Sequence, residues 1–551
     1  MQGEGGENRV ISSRALLLFF LCLALLYGSG LGTIPLLEPD EGRYAEIPRE
    51  MLSSGDFVTP HLNGVVYLEK PPLYYWGVAL SLRIFGENEF GARAFTAAVS
   101  LAGLLLTYWM GAVLADRRTG LYSAIVLSTS LYYYIVGRLN TLDMTLAVTL
   151  VAAIFPAYLH LSGRRASRGW LLLSYGSAGL AFLAKGLVGI VFPGAVLLLW
   201  LLLARRFREI GRALSLPGIL LFLAVALPWV VLVQRKNPDF LRFFFVHEQF
   251  LRYTTTIHHH MEPFWFFLPV VVAGFLPWLA WVPRAVRAVR SAEEPFLSRD
   301  DSVFLLAWTG FILLFFSFSH SKLPTYVAPI FPPLAVLFGR ALSLWVDRED
   351  GTARCRTPLL LSILLAAAIV VFPVFGKHRV DPSAWAWMAA PAALLILLFG
   401  AIPLFLRRLG PDRVILSSFL VLGLFLFSLN RPAGAYLGEY KSIHHLADVL
   451  RKTLRPGDVV AQYGSYRQGL AFYVRRRTVV VDGVGELQFG MERTPDREEY
   501  FPDEEGFRRL WESDRRVFAV FKRDAMPEIR ERFPGARLLY RSDAGILVVN
   551  R

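Results

Sequence analysis

The chain has 551 residues, of which 54% are hydrophobic and 19% are charged, and it contains 42 Phe, 13 Trp and 21 Tyr. This composition excludes a water-soluble globular protein, and its repeated apolar runs of about 20 residues are typical of a polytopic membrane protein. The net charge of +14 does not indicate a nucleic-acid partner, because Arg and Lys fall mainly between the apolar runs, where such charges set membrane topology.

The apolar runs predict a polytopic α-helical membrane protein with about thirteen transmembrane helices. No small-residue cleavage site follows the first run, which we therefore interpret as a retained helix and not a signal peptide. The predicted spans are 15–32, 94–115, 120–136, 143–162, 169–183, 186–204, 216–234, 264–283, 302–319, 326–346, 357–375, 384–406 and 413–430.

The polar segments between the spans fall into two alternating sets. One set is rich in Arg and, with the N-terminus, is predicted to be cytoplasmic by the positive-inside rule. Its members include Arg117-Arg118, Arg164-Arg165, Arg205-Arg206, Arg284 to Arg290, Arg340 to Arg356 and Arg407-Arg408. The other set carries few charges and is predicted to lie outside the cytoplasm together with the C-terminus. It comprises 36–93, 137–143, 184–186, 235–263, 319–326 and 376–379.

The composition changes after Asn430, which predicts two domains, 1–430 in the membrane and 431–551 outside it. In the second part, helical patterns alternate with short apolar strands, which indicates a small α/β domain. The predicted strands are 459–463, 478–483, 517–521, 536–540 and 546–549. The run GVGELQFG (483–490) lacks the strand-to-helix spacing of a nucleotide fingerprint, so no nucleotide site is predicted.

Three acids on the non-cytoplasmic side are candidate catalytic residues. Asp40 and Glu41 lie in PDEGRYAEIPREML, directly after the first span, and Asp143 lies where GRLNTLDM enters another span. Carboxylates at a membrane boundary can act as a general base, hold a metal or orient sugar hydroxyls. Each could also serve as a helix N-cap.

Five cations share the predicted outer boundary of the membrane. Lys185 and Lys322 stand nearly alone in short turns, and Arg43, Lys70 and Arg252 lie on the same face. Such a group is suited to a lipid phosphate or pyrophosphate, because opposite charges attract most where water is scarce. Contact with bulk anionic headgroups is the alternative interpretation.

His247 and Glu248, together with the run His258 to His260, form one of two histidine concentrations in the chain. Histidine and carboxylate side chains can bind zinc, and Glu69 is a possible further ligand. The spacing is not diagnostic, and a solvated loop would also accommodate three consecutive histidines.

These motifs resemble a known family. PDEGRYAEIPREML, LEKPPLYYW, GRLNTLDM, AKG and SKLPTYVAPIFPPLA together resemble the bacterial 4-amino-4-deoxy-L-arabinose lipid A transferases. These enzymes belong to the integral-membrane glycosyltransferase C superfamily, which also contains the protein O-mannosyltransferases. The resemblance covers nearly the whole chain.

The resemblance implies a sugar donor linked to undecaprenyl phosphate and a lipid A phosphate acceptor, in the bacterial inner membrane with the site and the C-terminal domain in the periplasm. Asp40 would be the principal catalytic carboxylate and Asp143 a second essential acid. The donor phosphate would be held by Arg43, Tyr67, Lys70, Arg252 and Tyr326, and we add Tyr44, Lys185 and Lys322 by location. Glu69, His247 and Glu248 fall where some members bind zinc, although position 248 is Glu where a second His can occur, so that zinc or another divalent cation is a possible cofactor.

Three other functions compete with this interpretation. The same scaffold could transfer a hexose, hexosamine or uronic acid to core lipopolysaccharide, another glycan or protein, because motifs that bind a donor phosphate do not distinguish the sugar. A lipid transporter would be expected to show internal repeats and charged or broken helices near the midplane, and neither pattern is visible. A structural subunit would leave the group of cations unexplained.

Overall fold

The computed structural model describes residues 12–245, 262–293, 295–347, 356–375, 382–405 and 410–551. The helices of the N-terminal half are α1 Ser13–Gly28, α2 Asp40–Ser54, α3 Leu73–Phe85, α4 Glu89–Leu114, α5 Arg117–Ser128, α6 Leu131–Val136, α7 Asp143–Leu161, α8 Arg168–Lys185, α9 Val188–Leu203, α10 Glu209–Ala213 and α11 Leu216–Lys236. They are followed by α12 Phe267–Gly274, α13 Val282–Arg290, α14 Arg299–Phe318, α15 Phe331–Asp347, α16 Thr357–Phe375, α17 Pro382–Phe405, α18 Pro411–Ser428 and α19 Asn430–Lys441. Short 3₁₀ helices occur at Trp278–Trp281, Pro324–Ile330 and Gly485–Leu487.

The helical membrane protein predicted from composition is confirmed, but a count of thirteen spans is not. Within the described ranges, seven helices are long and apolar enough to cross a membrane, or eight if one bent pair is a single span. Each predicted span overlaps a helix, yet several helices are short or interrupted. The predicted span 120–136 is divided into α5 and α6, and the one at 264–283 bends by 80° between Phe267–Gly274 and Trp278–Arg290.

Aromatic side chains fill much of the core of the helix bundle. Trp200, Trp278, Trp281 and Trp308 are fully buried there. Tyr158 stacks on Phe304 with ring centroids 3.9 Å apart, which ties α7 to α14. Such ring pairs add about 1 kcal/mol to the free energy gained by burying their apolar area.

Residues 36–85, which we name the juxtamembrane unit, leave the bundle after α1. The unit contains α2, a short antiparallel hairpin of β1 His61–Leu62 and β2 Val65–Val66, and α3. Helix α2 ends at Gly55, whose φ of +74° supplies the left-handed conformation that commonly terminates a helix.

The C-terminal domain contains a five-stranded sheet with the order β4-β3-β5-β7-β6. Strands β3, β4 and β5 are parallel, whereas β7 pairs antiparallel with β5 and β6. The strands are β3 Val459–Tyr463, β4 Val479–Val481, β5 Val517–Phe521, β6 Arg537–Ser542 and β7 Gly545–Val549, and these positions coincide closely with the predicted ones. The remaining helices are α20 His444–Thr453, α21 Gln468–Val474, α22 Gln488–Met491, α23 Arg497–Tyr500, α24 Glu504–Glu512 and α25 Met526–Arg532.

The juxtamembrane unit and the C-terminal domain share one hydrophobic core. Ile47 and Val78 of the unit belong to the same buried cluster as Leu470 and Phe518 of the domain. The backbones of α2 and α21 approach so closely that a Cβ atom on Gly42 would lie 2.4 Å from the amide nitrogen of Gly469. The domain is therefore packed against the segment that carries the acidic motif.

The hairpin is joined to the sheet by a buried amide side chain. Asn63 Nδ2 donates to the carbonyl oxygen of Thr478 at 2.9 Å, and the Thr478 amide donates to Asn63 Oδ1 at 2.8 Å. Asn63 has a φ of +52°, a conformation that Asn tolerates better than most side chains.

Candidate active site

A cavity of about 300 Å³ lies where the juxtamembrane unit meets the bundle. Its lining combines charged and polar side chains with apolar ones. The charged and polar lining residues are Asp40, Arg43, Tyr44, Glu69, Lys70, Thr141, Asp143, Lys185, Ser319, Ser321 and Tyr326. The apolar ones are Leu142, Leu187, Val188, Val191, Phe315, Phe316 and Leu323. A ligand with an ionised head and a hydrocarbon tail matches this combination of charged and apolar lining residues.

Asp40 and Arg43 face the cavity from the first turn of α2. Arg43 Nη1 donates to Asp40 Oδ1 at 2.8 Å, one helical turn apart. The Asp40 side chain is 47% exposed, whereas Arg43 is 14% exposed. The carboxylate is therefore the more accessible member of the pair, and both side chains line the cavity.

Asp143 and Lys185 form a second acid–base pair in the same cavity. Asp143 begins α7 and Lys185 ends α8, and the Lys185 ammonium donates to Asp143 Oδ1. The Lys185 Nζ atom also lies 4.4 Å from the ring centroid of Tyr326, within the range of a cation–π contact. Helix ends from distant parts of the chain thus bring the predicted acid, cation and tyrosine together.

Lys70, Glu69 and Tyr44 complete the charged and aromatic wall. The Lys70 Nζ atom lies 3.8 Å from Glu69 Oε2 and donates to the Glu69 carbonyl at 3.0 Å. Tyr44 is buried against Tyr74 and Tyr75, with ring centroids 5.7 and 6.1 Å away. Tyr44 therefore forms a rigid part of the wall beneath Arg43.

Glu41, a predicted catalytic acid, lies outside the cavity lining and is a correction to the sequence analysis. It is 2% exposed, and Arg93 donates to both of its oxygens at 2.7 Å. The backbone amide of Asn140 donates to Glu41 Oε1 at 2.8 Å, and the backbone amide of Leu37 donates to Glu41 Oε2 at 3.0 Å. Because these four bonds occupy the carboxylate, Glu41 fixes the entry to α2 and is withdrawn from the catalytic group.

Two predicted phosphate ligands, Lys322 and Tyr67, also lie behind the cavity wall. Lys322 donates to the carbonyl oxygens of Ser319 and Glu262 at 2.6 and 2.9 Å, which holds the loop that contributes Ser319 to the lining. Tyr67 is 2% exposed, and its hydroxyl lies 3.5 Å from Glu486 in the C-terminal domain.

Arg252, His247 and Glu248 lie outside the described residues, so their predicted roles stay predictions. Among the residues that are described, no group of three or more His, Cys, Asp or Glu side chains could hold a metal ion. Glu69 is the one member of the predicted zinc set whose position is described, so metal binding also stays a prediction.

Two glutamates contact this region although the sequence analysis did not single them out. Glu486 pairs with Arg43, with 2.6 Å between Oε2 and Nε. Glu38 accepts hydrogen bonds from the backbone amides of Gln468 and Gly469 at 3.0 and 2.8 Å. Glu486 lies inside GVGELQFG, and Glu38 directly precedes PDEGRYAEIPREML, but neither sequence position shows which partner the side chain meets.

Burial and neighbouring charges shift the pKa of two of these groups. Burial raises the pKa of Glu38 to about 7, against the opposing effects of the Gly469 amide and Arg467. Burial alone would lower the pKa of Arg43, but Glu486 and the neighbouring Tyr67 outweigh it and raise that pKa above its ordinary value. Arg43 is therefore permanently charged.

Known proteins match this chain over nearly its full length. Residues 12–244 match the dolichyl-phosphate-mannose-protein mannosyltransferase family, and residues 446–551 match the aminoarabinose transferase C-terminal domain. The undecaprenyl phosphate-α-4-amino-4-deoxy-L-arabinose arabinosyl transferase of Edwardsiella ictaluri is 30% identical over 481 residues, which is 83% of this chain and 84% of that protein. The chain belongs to this arabinosyl transferase family.

Other members of the family agree with this assignment. The transferase of Erwinia tasmaniensis is 39% identical over 335 residues, so the match spans 59% of each protein. The crystal structure of ArnT from Cupriavidus metallidurans bound to undecaprenyl phosphate superimposes with a TM-score of 0.84 at 29% identity, covering 98% of this chain and 99% of that one. The chain is therefore a multi-pass membrane glycosyltransferase of the predicted fold.

Proposed function

We propose that this chain transfers 4-amino-4-deoxy-L-arabinose from undecaprenyl phosphate to a phosphate of lipid A, at the periplasmic face of the bacterial inner membrane. The names of its relatives support this donor over another sugar. The observation that carries the proposal is the lining of the cavity, whose charged side chains suit a phosphate and whose apolar side chains suit a polyprenyl chain.

In the proposed reaction an oxygen of the lipid A phosphate attacks C1 of the sugar. The bond between C1 and the donor phosphate oxygen breaks, and undecaprenyl phosphate leaves with the bonding electrons. Lys70, Lys185 and Arg43 stabilise the negative charge that develops on the leaving phosphate. The acceptor phosphate is already ionised, so the step does not depend on a strong general base.

Asp40 then orients the acceptor or stabilises positive charge on the sugar ring, because its carboxylate is the exposed member of the Asp40–Arg43 pair. Asp143 holds Lys185 in place through their ion pair. Tyr326 supports the same lysine from its other side. Glu69 and the undescribed His247 and Glu248 remain a proposed metal site outside these steps.

Mass spectrometry of lipid A tests the proposal in cells with an intact aminoarabinose donor pathway and no other transferase. Expression of this chain is expected to add aminoarabinose to the lipid A phosphates. Asp40→Asn is expected to remove the addition while the protein level is maintained. Asp514→Asn, a change at a fully exposed acid of the C-terminal domain, is the matched control and is expected to preserve it.

Unchanged lipid A with altered glycans elsewhere in the envelope would keep the enzyme class and overturn the proposed acceptor. An added hexose, hexosamine or uronic acid would overturn the proposed sugar. Full activity of Asp40→Asn would remove Asp40 from the mechanism.

A further inference from the structure

Glu486 of the C-terminal domain reaches the wall of the candidate active site. It lies in the 3₁₀ helix Gly485–Leu487, and its side chain is 14% exposed. Residues that follow it are anchored: Leu487 is 1% exposed, and Gly490 packs so closely on the hairpin that a Cβ atom there would lie 2.4 Å from the Val66 carbonyl oxygen. The backbone that carries Glu486 is thereby fixed against the juxtamembrane unit.

The two oxygens of Glu486 have different partners. Oε2 lies 2.6 Å from Arg43 Nε and 3.5 Å from the Tyr67 hydroxyl. Oε1 accepts a hydrogen bond from Gln468 Nε2 at 2.7 Å, a residue of the same domain. Gln468 of the C-terminal domain therefore fixes the orientation in which the Glu486 carboxylate contacts Arg43.

Arg43 is held between two carboxylates of different accessibility. Its Nε atom faces Glu486, which is 14% exposed, and its Nη1 atom faces Asp40, which is 47% exposed. A hydrogen bond to Asp40 and an ion pair with Glu486, made through two different nitrogens, restrict a planar guanidinium more than a single contact does.

We infer that Glu486 is a positioning residue for Arg43, so that the C-terminal domain completes the active site and does more than cover it. Without Glu486, Asp40 is the one acidic partner of Arg43 among the described side chains. The guanidinium is then held by Asp40 alone and can rotate away from the donor phosphate. Both the acid and the cation lose the geometry that the reaction requires.

Close packing at the domain interface supports the inference. Gly42 and Gly469 let the backbones of α2 and α21 touch, and α2 is the helix that carries both Asp40 and Arg43. The neighbouring Gln468 begins α21 and holds Glu486. The pair Arg43–Glu486 therefore spans an interface that is fixed on both sides.

The inference rests on the proposed function for its transfer measurement, but binding of undecaprenyl phosphate measures it independently. The purified full chain carrying Glu486→Gln is expected to bind undecaprenyl phosphate roughly 10-fold more weakly and to transfer sugar roughly 10- to 100-fold more slowly. The change preserves side-chain size and removes the charge that pairs with Arg43.

A double-mutant cycle separates positioning from a general structural effect. In an Arg43→Ala background, Glu486→Gln is expected to change undecaprenyl phosphate binding by less than about 2-fold, because the group on which it acts is gone. Glu492→Gln removes an acid from the adjoining segment, where the side chain is 49% exposed, and is expected to behave as the wild type.

Three results would overturn the inference. Glu486→Gln could bind undecaprenyl phosphate with wild-type affinity, or its loss of binding could persist in full without Arg43. A fall in its thermal midpoint that accounted for the lost binding, with binding regained at lower temperature, would assign Glu486 a structural role. If the wild type bound undecaprenyl phosphate but transferred no aminoarabinose, the proposed function would fail while the binding cycle still tested Glu486.

Discussion

Acid–base pairs lie at both ends of the helix bundle, and they differ in what surrounds them. At the cavity end, Asp40–Arg43 and Asp143–Lys185 line an open space. At the opposite end, Arg164–Asp301 and Arg206–Asp300 join two loops to the first turn of α14, and Asp301 is fully buried. The same kinds of ion pair thus have different roles. A pair whose carboxylate is accessible can meet a ligand, whereas a pair enclosed by protein atoms stabilises the fold.

The opposite end illustrates a structural ion pair in detail. The Asp301 carboxylate accepts hydrogen bonds from Arg164, from the Tyr158 hydroxyl and from the Ser298 hydroxyl. The Asp301 backbone amide in turn donates to Ser298 Oγ at 3.1 Å. These partners come from three segments of the chain. The carboxylate has no accessible surface left for a substrate.

The largest expected effect is on catalysis at the cavity end. Asp143→Asn removes the charge that holds Lys185 and is expected to lower sugar transfer roughly 100-fold or more, since Lys185 is proposed to stabilise the leaving phosphate. Turnover per folded molecule, measured with the purified chain, checks this outcome. A variant within a few-fold of the wild type would show that the Asp143–Lys185 pair is not needed for transfer.

The corresponding Asp→Asn change at the opposite end of the bundle is expected to lower the stability of the protein and to leave its turnover unchanged. Asp301→Asn leaves Arg164 without its buried partner and is expected to lower the free energy of unfolding by about 2 kcal/mol. Thermal unfolding in detergent measures the loss, and activity per folded molecule is expected to remain near that of the wild type. Loss of turnover without loss of stability would contradict the division between the two ends.

A smaller effect is expected where the C-terminal domain meets α2. Gly42→Ala places a Cβ atom 2.4 Å from the Gly469 amide nitrogen, and the resulting overpacking is expected to cost about 1–3 kcal/mol of docking free energy. Limited proteolysis of the domain should accelerate in this variant. Gly211→Ala, whose Cβ atom would meet no atom within 4 Å, serves as the control and should match the wild type.

The smallest expected effect is a pH dependence that Glu38 imposes on the same interface. Its pKa rises from 4.5 in the exposed state to about 7 when docked, so docking favours the protonated form. The stabilisation of the docked domain by protonated Glu38 is therefore complete below pH 4.5 and is lost as the pH rises through 7.

We therefore expect the docked domain to be about 1 kcal/mol less stable at pH 8 than at pH 5, and Glu38→Gln to remove that difference. Thermal midpoints of the full chain across this range measure the effect. An identical pH profile in wild type and variant would show that Glu38 does not titrate between the two states.

Many residues of the candidate site were predictable, because they lie in short motifs or in loops that the predicted topology assigns to one side of the membrane. Alternating loops put Asp40, Lys70, Asp143, Lys185 and Tyr326 on one side of the membrane, and the structure brings these side chains into one cavity. The strands of the C-terminal domain were predictable as well, because short apolar runs between turns show the period of a sheet.

Contacts between remote segments were not predictable in the same way. Asp40 and Glu41 are adjacent and alike in chemistry, and only the position of Arg93 shows that Glu41 faces inward. Nothing in the sequence near Glu486 indicates that it meets Arg43. The count of thirteen spans is not confirmed for a related reason, because a bend such as that between α12 and α13 depends on packing against neighbours.

A cryo-EM structure of the purified full chain with undecaprenyl phosphate tests most directly whether this cavity is the donor site. We expect the phosphate to lie against Lys70, Lys185 and Arg43, with the polyprenyl chain along Leu187, Val191 and Phe315. A phosphate bound away from these cations, with the cavity occupied by no part of the lipid, would contradict the account.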